Sequence, residues 1–306
     1  MEVSLEPAIA EMVAGFIAAG RPNASALSWQ ARREGYLASA VLGGAREEVG
    51  QIEEWQESQY AVRLYRPTPG AQASHPALIY FHGGCFVSGD FETHDRQMRM
   101  LCNRANAPIF AVHTRLAPEH VYPAAHDDAL AATLAIMVRL KEWQVDPRRL
   151  ALAGDSAGGH LALVTALRLK AMGAPLPAAL LLIYPMLDAS GESQSYRDCG
   201  EDYLITADML QSGCRAYLGA LPVDHPEASP LHHPALAGLP ATHILTAEYD
   251  PLRDEGEALY GKLLQAGVAA TCQRQLGVIH GFFQLAGISP AARHAIAQVA
   301  MQLKRL

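Results

Sequence analysis

The chain has 306 residues, half of them hydrophobic, and a formal net charge of −7 at neutral pH. That is enough apolar material for one large α/β domain with added helices, and the negative balance, with no lysine/arginine cluster longer than a pair, excludes the electrostatic footprint of a nucleic-acid binder. Apolar runs such as Ala178 to Tyr184 stop at Pro185, too short to span a bilayer, and Glu2 and Glu6 stand where a signal peptide would be basic.

Leu5, Ile9, Met12, Val13, Phe16 and Ile17 recur at helical spacing over residues 3 to 17, and Arg21-Pro22-Asn23 is expected to end that helix. A second helix is expected from Ser28 to Leu42, closed by Gly43-Gly44. Residues 1–50 thus read as a helical cap segment ahead of any sheet, and residues 51–306 as the main domain. From Gln51 onward, strands are expected at Tyr60 to Tyr65, Ala77 to Phe81, Pro108 to His113, Leu150 to Ala153, Ala179 to Ile183, His243 to Thr246 and Ala269 to Gln275. Helices are expected at His94 to Ala105, Ala124 to Glu142, Gly158 to Met172, Arg253 to Gln265 and Pro290 to Leu306. This alternation predicts an α/β fold with a mostly parallel sheet covered by helices on both faces. Residues 189–228 break the rhythm and read as an insertion. Cys85, Cys102, Cys199, Cys214 and Cys272 are scattered and form no C-x-x-C, which fits free thiols in a reducing, cytoplasmic setting.

The chemistry concentrates in Gly154-Asp155-Ser156-Ala157-Gly158-Gly159, a G-x-S-x-G between an apolar strand and a helix. A serine hydroxyl needs a base, and the base needs an orienting carboxylate. His280 lies in a glycine-flanked loop between the last strand and the last helix, and Asp250 follows the strand before it, so the order is serine, acid, histidine. Asp250-Pro251 also suits a helix N-cap, and Glu248, Asp254 and Asp188, like His243, His232 and His233, are competitors. After the strand ending at Phe81 comes His82-Gly83-Gly84; the backbone N–H groups of Gly83, Gly84 and Ala157 are expected to form an oxyanion hole, with His82 bracing the loop.

These motifs, with Gly89-Asp90, Thr93-His94-Asp95-Arg96, Leu116-Ala117-Pro118-Glu119, Asp250-Pro251-Leu252 and His280-Gly281-Phe282, resemble the hormone-sensitive-lipase-like branch of the α/β-hydrolases, the bacterial family IV esterases. The likeness runs from about Tyr60 to the C-terminus. It implies an α/β-hydrolase fold, a cap built from residues 1–50 and the 189–228 insertion, and a serine carboxylesterase that cleaves small short-acyl esters through an acyl-serine. The branch usually has a third glycine where this chain has Cys85, and Asp-Tyr-Arg where it has His113-Thr114-Arg115; the second change is expected to alter packing rather than catalysis. Arg115 and Glu119 read as structural charges. The Cys85 thiol is either within reach of alkylating reagents or buried and inert. An amide-cleaving hydrolase, arylformamidase- or peptidase-like, and a non-catalytic ligand receptor stay open as alternatives. With no H-E-x-x-H, G-x-G-x-x-G or P-loop, neither metal nor cofactor is expected.

Overall fold

In the computed structural model, which describes residues 4–20, 24–68 and 75–306, eight strands form one sheet. They are β1 (Gln51–Gln56), β2 (Ala61–Arg66), β3 (His75–Phe81), β4 (Ile109–His113), β5 (Val145–Asp155), β6 (Ala179–Ile183), β7 (Ala241–Tyr249) and β8 (Ala270–Ile279). Their order across the sheet is β1-β2-β4-β3-β5-β6-β7-β8; β2 pairs antiparallel with both neighbours, and every other pairing is parallel. The helices are α1 (Pro7–Ala18), α2 (Trp29–Ser39), α3 (Phe91–Ala105), α4 (Ala124–Arg139), α5 (Ala157–Ala171), α6 (Gln194–Cys199), α7 (Ala207–Leu218), α8 (Arg253–Gln265) and α9 (Pro290–Arg305).

The central strands are apolar along their whole length because both faces of the sheet are covered. Ile79, Phe81, Leu152, Leu180 and Leu182 enter one core with residues of α4, α5 and α8. Their neighbours Leu78, Tyr80, Ala151, Ala153 and Leu181 enter the other core with α1, α3 and α9. The two-residue period of the strand thus feeds two helix layers, and the loops at the carboxyl ends of β3, β5, β7 and β8 are left to carry chemistry.

Three features depart from the expected elements. β1 has no place among the predicted strands; it is a largely polar edge strand, held to β2 by its backbone and to the body through Trp55, stacked on Trp143 at 5.9 Å. β5 starts at Val145, five residues early, and the shift from His75↔Val145 to Ala77↔Leu150 shows a bulge around Pro147, where a proline cannot serve the ladder. β8 runs on to Ile279, next to His280. The predicted stop at Arg21-Pro22-Asn23 lies outside the described residues.

The two N-terminal helices have different partners. Ile9 and Val13 of α1 are buried in the core shared with α9, and the Glu6 carboxylate accepts hydrogen bonds from Ser289 Oγ (2.6 Å) and the Ala291 N–H (2.9 Å) at the start of α9. α2 faces the other way. Arg33 donates to the carbonyls of Val87 and Ala117 and pairs with Glu119, while Arg32 reaches Ser212 Oγ on α7. Because Glu6 satisfies one orphan N–H of α9 and holds the capping Ser289 hydroxyl, Glu6→Ala is expected to lower unfolding free energy by about 1 kcal/mol in urea titrations, against no measurable change for the exposed Glu11→Ala.

Candidate active site

Ser156 sits between β5 and α5 with φ 56° and ψ −119°, a conformation that costs a side-chain-bearing residue about 1–3 kcal/mol and persists only where its surroundings enforce it. The glycines around it are enforced by contact. A Cβ on Gly158 would lie 1.9 Å from the Phe81 carbonyl oxygen, and one on Gly154 would lie 2.2 Å from the Gly158 carbonyl. The turn is fixed by the Ser156 N–H donating to Ile183 O at 2.9 Å and by the Met186 N–H donating to Ser156 O at 3.1 Å. The result lifts the hydroxyl off the strand and places it at the first turn of α5, where unpaired N–H groups favour negative charge.

The structure brings the three expected side chains together although they lie far apart in sequence. His280 Nε2 is 3.0 Å from Ser156 Oγ, and His280 Nδ1 is 2.8 Å from Asp250 Oδ2. Asp250 is fully buried and splits its oxygens: Oδ2 meets the imidazole while Oδ1 accepts the Leu252 N–H at 2.7 Å. Asp250 is not the N-cap: α8 starts at Arg253 after Leu252, and the Asp250 oxygen instead closes the turn that precedes the helix. Tyr184, another residue at positive φ, lays its ring against His280 with centroids 4.7 Å apart. The competitors are engaged elsewhere: Glu248 with the Gly277 N–H, Asp254 with the Ser195 N–H, Asp188 with the Ser190 N–H and His232, and His243 with Thr271; His233 accepts from the Ala235 N–H.

The loop after β3 corrects one expectation. The Gly83 N–H donates to Asp155 Oδ1 at 2.9 Å, so it is not free to meet a substrate oxygen. Gly83 is a glycine for another reason: a Cβ there would stand 2.5 Å from Asp155 Oδ2. Among the described residues, the backbone N–H groups of Gly84, Cys85 and Ala157 make no hydrogen bond. Gly84, Cys85 and Phe86 all have positive φ, and Gly84 O accepts from the N–H groups of Val87 and Ser88, which closes the loop. His82 braces it as expected. Its Nδ1 lies 2.9 Å from Gly83 O and its Nε2 3.0 Å from His113 Nδ1. A carbonyl only accepts, so the hydrogen-bond logic runs from His113 through a neutral His82 to Gly83. Burial, with His113 and His94 nearby, holds His82 down to about 3, consistent with that neutral ring. The Cys85 thiol is 4% exposed, and burial pushes its pKa far above the ordinary thiol range, so the inert reading holds. Arg115 pairs with buried Asp128 at 2.7 Å.

Asp155, which no functional expectation covered, joins these parts. It is 1% exposed; Oδ1 accepts from Gly83, from Tyr80 Oη at 2.9 Å and from His94 Nε2 at 3.1 Å, and Oδ2 from Gln284 Nε2 at 2.9 Å. Burial alone would raise its pKa, but the charge and hydrogen bond of His94 and the donors Tyr80 and Gly83 outweigh that and hold it below the ordinary carboxylate value. Glu255, in the first turn of α8, shows the opposite balance. Both its carboxylate oxygens are buried, and desolvation pushes its pKa well above the usual carboxylate range.

Comparison with known proteins agrees with this geometry. Residues 78–284 match a family described by its alpha/beta hydrolase fold. Esterase LipI of Mycobacterium tuberculosis is 40% identical over 76% of this chain and 74% of its own length. An ethyl acetate hydrolase of Pseudomonas putida is 34% identical over 90% of this chain and 89% of its own. The crystal structure of a hyperthermophilic esterase from Pyrobaculum calidifontis superposes with a TM-score of 0.92 at 34% identity, covering 99% of this chain and 98% of that one.

Because a carboxylate whose pKa is depressed by folding stabilises above its unfolded pKa and loses that contribution as pH falls through the folded value, Asp155 supports the fold fully at neutral pH. Asp155→Asn is expected to lower stability by about 2–4 kcal/mol at pH 7 in urea titrations, with the gap to wild type closing as pH drops below about 4.

Proposed function

The chain belongs to the α/β-hydrolase family, in its hormone-sensitive-lipase-like branch, and is a carboxylic ester hydrolase; on that premise we propose that it cleaves small esters of short acyl groups, with Ser156 as nucleophile, His280 as proton carrier, Asp250 as the orienting acid, and the N–H groups of Gly84, Cys85 and Ala157 as the oxyanion site. The observation that carries this reading is the unbroken hydrogen-bonded series from Asp250 through His280 to Ser156.

Ser156 Oγ attacks the acyl carbon while His280 Nε2 takes its proton, and the carbonyl π electrons move onto the oxygen. That oxyanion meets preorganised N–H groups, which need no rearrangement to stabilise it. As the tetrahedral species collapses, the alcohol leaves with the proton from Nε2, and Ser156 keeps the acyl group. Water then attacks with His280 as base, and the acid is released. Asp250 accepts the Nδ1–H, favouring the tautomer whose Nε2 is free to act.

α2 and the 189–228 insertion form the cap over this site, while α1 belongs to the body. Support comes from the contacts of α2 with Val87 and Ser212 and of α7 with the loop of Cys85 and Phe86. Phe86 and Tyr217 stack face to face at 4.2 Å beside the oxyanion loop, and we take this packed pair as a wall that favours small acyl groups. The ethyl acetate hydrolase of Pseudomonas putida, similar over most of this chain, points to the same small substrates.

Ser156→Ala is expected to lower turnover of a nitrophenyl ester by about 10⁶-fold, leaving only binding and oxyanion contributions. Across nitrophenyl esters from acetate to decanoate, kcat/KM is expected to peak at acetate to butyrate. A peak at octanoate or beyond would contradict the short-acyl reading, whereas normal turnover by Ser156→Ala would remove the site itself.

A further inference from the structure

Two residues in this chain are each poor choices locally. Cys85 carries a side chain at φ 55°, where glycine is favoured, and Gly213 stands inside α7, where glycine is among the weakest helix formers. The structure shows why they occur together. A Cβ on Gly213 would lie 2.7 Å from Cys85 Sγ, 3.0 Å from its Cβ and 3.1 Å from its carbonyl oxygen, so the thiol occupies the space glycine leaves in the helix. Cys85 Sγ also donates to the Leu210 carbonyl of α7 at 3.1 Å. One residue further on, Phe86 stacks on Tyr217 of the same helix. Positions 210, 213 and 217 share one face of α7, and that whole face grips the oxyanion loop.

We propose that Cys85 and Gly213 are paired positioning residues, through which cap helix α7 holds the Cys85 backbone N–H in place for the developing oxyanion. The side chain and the donor belong to one residue, so pinning Cβ and Sγ fixes the peptide that carries the N–H. Oxyanion stabilisation depends on donors held to within a few tenths of an ångström, and a loop with three consecutive positive φ angles does not supply that rigidity alone. The cap therefore contributes to the turnover step as well as to substrate access. This inference rests on the reading of Cys85 N–H as an oxyanion donor.

Gly213→Ala is the direct test, because alanine favours the helix and a purely local effect would leave the enzyme neutral or more stable. The added methyl instead meets Cys85, and kcat for nitrophenyl acetate is expected to fall about tenfold to a hundredfold while KM changes by less than about threefold, short of the full loss of a donor. A trifluoromethyl ketone, whose adduct with Ser156 places an anionic oxygen in the same site, should lose affinity by a similar factor. Cys85→Gly in the Gly213→Ala background removes the two atoms the methyl strikes hardest, Sγ and Cβ, leaving only the milder approach to the carbonyl oxygen, and should restore kcat by about fivefold or more, a coupling that independent sites do not show. If Gly213→Ala does not fold, Cys85→Gly alone serves: kcat and ketone affinity should both drop, with Cys85→Ser, which keeps a donor to Leu210, falling between it and wild type. Unchanged kcat and ketone affinity in Gly213→Ala, a loss that Cys85→Gly fails to relieve, or Cys85→Gly matching wild type would each overturn the pairing. An inactive Ser156→Ala alongside any of these results leaves the triad standing and removes the pairing alone; an active one removes the serine mechanism, and with it the oxyanion that Cys85 N–H is read to meet.

Discussion

The arrangement depends on a lack of space at the end of β5. Phe81, Gly154 and Gly158 approach so closely that no side chain fits between their backbones, and that proximity is what bends the chain at Ser156 into a conformation it would not adopt freely. With β3 and β5 hydrogen-bonded side by side, the turn that exposes the hydroxyl also fixes how near the loop after β3 can lie. The nucleophile and the root of the oxyanion loop are therefore set by one packing contact, and α7 holds the far side of that loop.

Asp155 turns that contact into a network. A buried carboxylate is stable only if its oxygens are satisfied, and this one draws its donors from the loop after β3, from β3 itself, from α3 and from the turn after His280. Each of those segments is thereby referred to the residue next to the nucleophile. His82 and His113 perform a neutral version of the same task on the other side of Gly83.

Much of this was legible in the residues. The strand-turn-helix setting of Ser156, the chain order of acid and base, and the apolar runs of the central strands follow from local chemistry and periodicity, which a sequence displays directly. β1 was not legible, because a polar edge strand held by backbone pairing has no apolar period to reveal it. The assignment of Gly83 as a donor failed for a different reason: a glycine announces that a Cβ is unwelcome without saying what approaches, and here it is the Asp155 carboxylate rather than substrate. The part played by Asp155 was hidden at the variable position of its own motif. Its partners Tyr80, His94 and Gln284 are scattered, and only the fold assembles them. Cys85 stood out as a departure, but its partner Gly213, isolated in an insertion, carried no signal until helix and loop were seen in contact.

The division of labour within the Asp250 carboxylate has a mechanical consequence. With one oxygen tethered to the backbone at Leu252 and the other to the imidazole, the group cannot swivel to follow its partner. Any travel of the ring between attacking and departing oxygens must be a small rocking about a stationary pivot at Nδ1, so the shuttle returns to the same starting pose after every turnover.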